Sequence, residues 1–228
     1  MSTTTLARPR TGAVRGNEAP WPRLAVIGDS LAEGVGDAVG EEDSWASLLA
    51  TALGAEAYLN LGQRGLVASA IRSGQLYSVL RFDPDLAVVC AGGNDVLRRS
   101  FDPIALAIEL EALVGSLAGQ GALVVTFGLF DLSCSALLAP ERRAELRRSL
   151  VCLNDVTRRV TAAHGGVHVD FFDDLEHDPS LLSDDQIHPN RRGHAHIAAA
   201  VFRAVALRGL RPVGLRRWAP SARRPSGR

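Results

Sequence analysis

Residues 24–31 read Leu-Ala-Val-Ile-Gly-Asp-Ser-Leu, four apolar residues running straight into a glycine turn. A short run apolar at every position fits a strand covered on both faces, as strands of a parallel sheet are. Gly-Asp-Ser is the punctuation that ends such a run. The same unit recurs along the chain. Leu24–Ile27, Glu56–Asn60, Leu86–Cys90, Ala122–Phe127 and Val167–Asp170 read as strands one to five. Between and after them, Ser44–Leu53, a stretch within Gly65–Leu80, Pro103–Ala118, Pro140–His164 and Arg191–Leu207 read as helices. Strand and helix alternating about every 30 residues imply right-handed crossovers, and so a five-stranded parallel sheet between two helix layers, a three-layer α/β/α sandwich.

The 228 residues suit one domain, and 46% hydrophobic residues can bury a substantial core. The domain is expected over residues 21–211. Residues 1–20 read as a disordered N-terminal extension, and 212–228 as a basic disordered tail. From Arg208 onward there are seven Arg and no acid, with no helical amphipathicity, so a solvated tail is expected and neither nucleic acid nor membrane is expected as a partner. The first residues lack the apolar core of a secretory signal, and no apolar run approaches membrane-spanning length. Cys90, Cys134 and Cys152 are odd in number and lack metal or redox spacing. A reduced cytoplasm fits these features, and the absence of Lys with abundant Ala and Gly points to a GC-rich bacterial genome.

In an open parallel sheet, ligands bind beyond the carboxyl ends of the strands. After strand one, Ser30 stands on a strand-to-helix turn that can expose its Oγ and present its own N–H to an oxyanion. Alone, Gly-Asp-Ser is a common turn, and with Ala32 it is not a Gly-x-Ser-x-Gly elbow. After strand two, Gly62 in Asn60-Leu-Gly-Gln-Arg-Gly65 allows a backbone N–H to approach an oxyanion, or it is an ordinary turn glycine. After strand three, Gly92-Gly93-Asn94-Asp95 aims the Asn94 amide across the sheet edge, or caps a helix. Past strand five, Asp185-Gln-Ile-His188-Pro189 sets a carboxylate three residues before an imidazole. Asp185 can then hold Nδ1–H and leave Nε2 facing out as a base. A metal reading lacks a second His or Cys at ligand spacing, and His194 and His196 belong to the last helix.

These four blocks, in this order, resemble the SGNH/GDSL hydrolase family over roughly residues 24–207. The resemblance implies a flavodoxin-like SGNH fold, with Ser30 as nucleophile, Asp185 and His188 completing a Ser-His-Asp triad, and an oxyanion hole from Ser30, Gly62 and Asn94. It implies serine esterase chemistry on carboxylic esters or thioesters through an acyl-serine, with no cofactor and no metal. An acyltransferase or a carbohydrate deacetylase would use the same residues. Arg64 departs from the Ser that many members carry before the block's second Gly. A nucleotide-binding module is the contrasting reading. It would rest on Gly34-Val35-Gly36, whose next glycine, Gly40, comes one residue too late for the dinucleotide fingerprint.

The connections at the sheet edge are brief in unassigned residues, and Gly128–Ala139 is too short for a helical lid. An open cleft is therefore expected, with a small-molecule ester of short acyl chain, acetyl to about hexanoyl, as substrate.

Overall fold

The computed structural model describes residues 20–37, 40–135 and 138–209. The expected N-terminal extension, save Pro20, and the basic tail lie outside them. Five strands, β1 (Arg23–Gly28), β2 (Ala57–Asn60), β3 (Leu86–Cys90), β4 (Leu123–Gly128) and β5 (Val167–Asp170), form one sheet in the order β2-β1-β3-β4-β5. Every pairing is parallel. Helices α2 (Trp45–Leu53) and α8 (Arg191–Gly209) pack together on one face. The other face carries α3 (Ala68–Phe82), α5 (Pro103–Gly119) and α6 (Pro140–Ala163), packed side by side. Short helices α1 (Ser30–Glu33) and α4 (Gly93–Leu97) follow β1 and β3, and α7 (Asp174–His177) follows β5.

Local chemistry fixes where the helices start. Ser44 accepts from Ser47 N–H at the head of α2, and Asp102 accepts from Ile104 and Ala105 N–H with Pro103 in the first turn of α5. The central strands β1, β3 and β4 are buried along nearly their whole length, as the apolar runs predict. The edge strands β2 and β5 are half-exposed instead, because each has a neighbour on one side only.

Trp45 is the central anchor of the α2–α8 face. It is fully buried, packs edge-on against Phe127 at 5.0 Å between centroids, and donates Nε1–H to the Leu31 carbonyl at 2.6 Å. That bond pins α1, and with it Ser30, to the core. His194 at the start of α8 is also fully buried. Its Nδ1 accepts from Trp45 N–H at 3.0 Å, and its Nε2 lies 3.3 Å from the Val35 carbonyl. Burial lowers its pKa, so the neutral imidazole, acceptor at Nδ1 and donor at Nε2, is the form the fold holds.

Candidate active site

The strand order reverses between β1 and β3, the place where an open α/β sheet leaves a crevice. Ser30 follows β1 as the first residue of α1, whose leading N–H groups have no helical carbonyl to bond. Its Oγ stands 2.9 Å from His188 Nε2, and His188 Nδ1 stands 2.6 Å from Asp185 Oδ2. Asp185 Oδ1 also accepts from the backbone N–H groups of Ile187 and His188, so the acid both shapes the turn and faces the ring. Partial burial opposes ionisation of Asp185. The hydrogen bonds from the His188 ring and these backbone groups outweigh it and hold the carboxyl below the usual range. An antiparallel bridge from Leu182 to Pro189 closes this segment. It docks on the α1–α2 loop by a reciprocal exchange: Asp37 N–H to Ser183 Oγ at 2.8 Å, and Asp184 N–H to Asp37 Oδ2 at 2.7 Å.

Asn94, in the first turn of α4, also reaches the crevice. Its Nδ2 donates to the Leu66 carbonyl at 3.0 Å and faces Asp29 Oδ2 at 3.3 Å. Its neighbour Asp95 accepts from Ala68 N–H at 3.0 Å, so α4 ties down the end of the β2–α3 loop. Asp29 is buried, and its Oδ1 accepts from Leu31 N–H. Burial lifts its pKa to about 6. Sequence patterning gave no sign of this carboxylate, because Asp in a Gly-Asp-Ser turn reads as a surface residue.

Gly62 does not occupy the place expected of it. Its N–H is donated to Asn60 Oδ1 at 2.8 Å, and it does not line the crevice. A Cβ there would fall 2.2 Å from Glu33 N, so it is glycine because the loop backbone lies directly on the end of α1. Asn60 Nδ2 to the Ala32 carbonyl at 2.8 Å, and an ion pair of Arg64 with Glu33, complete that docking. The Arg64 guanidinium holds the Glu33 carboxyl below its ordinary pKa. The second glycine of the block, Gly65, lines the crevice with Ser30, Asn94 and His188, in a left-handed conformation with φ of 81°. The block holds two glycines, and spacing alone does not tell which one lies beside the crevice.

Beside Ser30 opens a cavity of about 350 Å3 with a mainly apolar wall, formed by Leu97 from α4, Leu129, Phe130 and Leu132 after β4, and Ile187 and Pro189 beside His188. The expected open cleft is thus walled on one side, by the apolar segment that follows β4. Among the described residues, no group of three or more His, Cys, Asp or Glu side chains could hold a metal ion, and no helix is long and apolar enough to cross a membrane.

A parallel sheet of this order, with a serine hydroxyl facing an imidazole at its switch point, is an arrangement suited to serine hydrolase chemistry. The chain matches the model of the GDSL-like lipase/acylhydrolase family over residues 26–196 and belongs to that family. Among solved structures it is similar to LAE5, an alpha/beta hydrolase enzyme from the metagenome of Lake Arreo, at 26% identity, a TM-score of 0.66, and coverage of 80% of this chain and 94% of that one. It shares the fold of the lipase/acylhydrolase from Enterococcus faecalis, at 22% identity, a TM-score of 0.66, and coverage of 81% and 95%. The acetylxylan esterase Axe2 from Geobacillus stearothermophilus shows the same fold at 20% identity, a TM-score of 0.65, and coverage of 82% and 95%. A search of curated proteins finds no match.

Proposed function

We propose that this GDSL-family hydrolase cleaves carboxylic esters or thioesters of short acyl chain through an acyl-serine intermediate. The observation that carries the reading is the unbroken line from Ser30 Oγ through both ring nitrogens of His188 to Asp185, at 2.9 and 2.6 Å, opening on an apolar cavity.

In this mechanism Ser30 Oγ attacks the acyl carbonyl while His188 Nε2 takes its proton. Asp185 holds the tautomer with Nδ1–H and stabilises the imidazolium. The oxyanion is received by the N–H groups of Ser30 and Gly65 and by the Asn94 amide. Both Asn94 hydrogens are donated within the protein, to the Leu66 carbonyl at 3.0 Å and to Asp29 Oδ2 at 3.3 Å, and a small rotation of the side chain exchanges the longer bond for one to the oxyanion. His188 returns the proton to the leaving alcohol or thiol, and water then releases the acid by the same relay. A cavity of about 350 Å3 accommodates roughly a dozen water-sized groups. That is room for an acyl chain of up to about six carbons together with part of the alcohol.

The test is Ser30→Ala against short p-nitrophenyl esters, with fluorophosphonate labelling of the wild type and identification of the labelled peptide. Turnover should fall by several powers of ten with the fold intact, and the label should sit on Ser30. Residual activity within about tenfold of wild type, or a label elsewhere, rules the reading out.

A further inference from the structure

We infer that Arg147 and Asn154 of α6, which line none of the cavity, set its acyl-chain selectivity by fixing the wall built from Leu129, Phe130 and Leu132. The inference rests on the hydrolase reading above. The two residues are seven apart and so share one face of the helix. They strap the segment after β4 at two points.

The first strap is a buried amide. Asn154 accepts from Leu129 N–H at 2.9 Å and donates to the Leu129 carbonyl at 3.1 Å, so both backbone groups of one wall residue are held by a single rigid fork. The Leu129 side chain is thereby pressed against the Gly93-Asn94 turn, its Cδ1 only 3.2 Å from where a Cβ on Gly93 would stand. The second strap is a charge pair. Asp131, 3% exposed, faces Arg147 with Oδ2, while its Oδ1 accepts from Ser133 N–H at 3.1 Å and Ser133 Oγ at 2.5 Å. Its N–H donates to the Phe172 carbonyl at 3.1 Å, and the Arg147 guanidinium lies over the Phe172 ring at 4.9 Å. Phe130 and Leu132 flank Asp131 and point their bulk at the cavity from a backbone that cannot shift without breaking one strap.

A segment whose regular structure is limited to the single 3-10 turn Leu132–Cys134 forms a reproducible apolar surface only if something else fixes its backbone, since ordering each residue opposes folding. A fixed wall keeps a longer chain out of water at every added carbon. A loosened wall does not, while the acetyl end of the substrate stays against Ser30 in both cases.

The experiment compares kcat/KM for acetyl, butanoyl, hexanoyl and octanoyl p-nitrophenyl esters in the wild type, Asn154→Ala, Arg147→Met and Arg147→Lys. In the wild type each buried methylene should raise kcat/KM by about fourfold until the cavity is full. Asn154→Ala and Arg147→Met should each lower the hexanoyl-to-acetyl ratio by about tenfold, and Arg147→Lys should restore most of it. A ratio within twofold of wild type in both variants overturns the inference, including the case where all chain lengths fall together. Should Asn154→Ala fail to fold, Arg147→Met decides alone, because that side chain is half-exposed. A wild type that hydrolyses no ester of any length overturns the hydrolase reading itself, and this inference with it.

Discussion

Gln75, buried on α3, exchanges both hydrogen bonds of its amide with the backbone of Gly28, accepting from its N–H at 2.8 Å and donating to its carbonyl at 2.9 Å. Gly28 is the last residue of β1 and stands two residues before Ser30. The clamp thus fixes the backbone from which the nucleophile projects. Gln75→Leu keeps the volume but leaves Gly28 N–H unpaired, at about 1–3 kcal/mol, while the Gly28 carbonyl keeps its bond from Gln63 N–H at 3.1 Å. Denaturant unfolding should show that loss, and turnover should fall with it. A variant as stable as wild type would show that the clamp carries no weight.

The two glycines of the β2–α3 loop should separate stability from chemistry. Gly62→Ala drives a Cβ into the Glu33 backbone and should lower the melting temperature sharply. Gly65→Ala meets only the end of the Arg98 side chain, at 3.1 Å, but must hold a left-handed φ, at a cost of about 1–2 kcal/mol. Its effect should appear mainly in kcat, because the shifted N–H no longer meets the oxyanion. Measuring kcat and melting temperature on both variants decides which glycine faces the substrate. Normal turnover in Gly65→Ala would return the role to Gly62.

Asp29 gives stability an unusual dependence on pH. Its folded pKa, raised by burial from 3.8 to about 6, lies above the unfolded value, so the fold favours the neutral acid. That contribution is complete below about pH 4 and is lost as pH rises through about 6. The displacement corresponds to about 3 kcal/mol. Asp29→Asn mimics the neutral acid and escapes the loss. Its stability relative to wild type should therefore climb by up to that amount between pH 4 and 7, measured by denaturant midpoints. A difference independent of pH would contradict the assignment.

His194 works in the opposite direction. Its folded pKa is lowered by burial, so its contribution is present above the unfolded value of about 6.5 and lost as pH falls below it. His194→Gln should flatten this acid limb relative to wild type. It should also cost about 1–3 kcal/mol at neutral pH if Trp45 N–H is left without its acceptor. Unfolding both proteins at pH 5.5 and 7.5 separates the two effects.

Periodicity and punctuation place all five strands to within one residue of where they lie, because a run such as Leu86–Cys90 has no other way to hide five apolar side chains. Helices α2 and α5 begin within one residue of the expected Ser44 and Pro103, and the structure shows Ser44 and Asp102 capping them. Helices α1 and α4 are four and five residues long, too short for any period to register. At the site, the residue types and their order were legible, and the turn that pairs Asp185 with His188 follows from their spacing. What stayed hidden depends on packing between distant segments. Gly62 is chosen by the approach of Glu33, whereas Gly65 holds a left-handed φ and lies beside the crevice. Gln75 and Asn154 read as ordinary polar helix residues, 47 and 25 positions from the backbones they clamp. Gly128–Ala139 reads as a connection too short for a lid, and Leu129, Phe130 and Leu132 within it become a wall because α6 lies behind them.

His188 and Asp185 meet across a single turn, but His188 and Ser30 are separated by 158 residues. The acid and base can form locally in a partly structured chain. The nucleophile joins them only when the two ends of the domain have docked through Asp37 and the 182–189 segment. Contacts so distant along the chain come at the slow end of assembly. During refolding from denaturant, regained helix should therefore precede regained turnover, making ester cleavage a clock for the last step of chain closure.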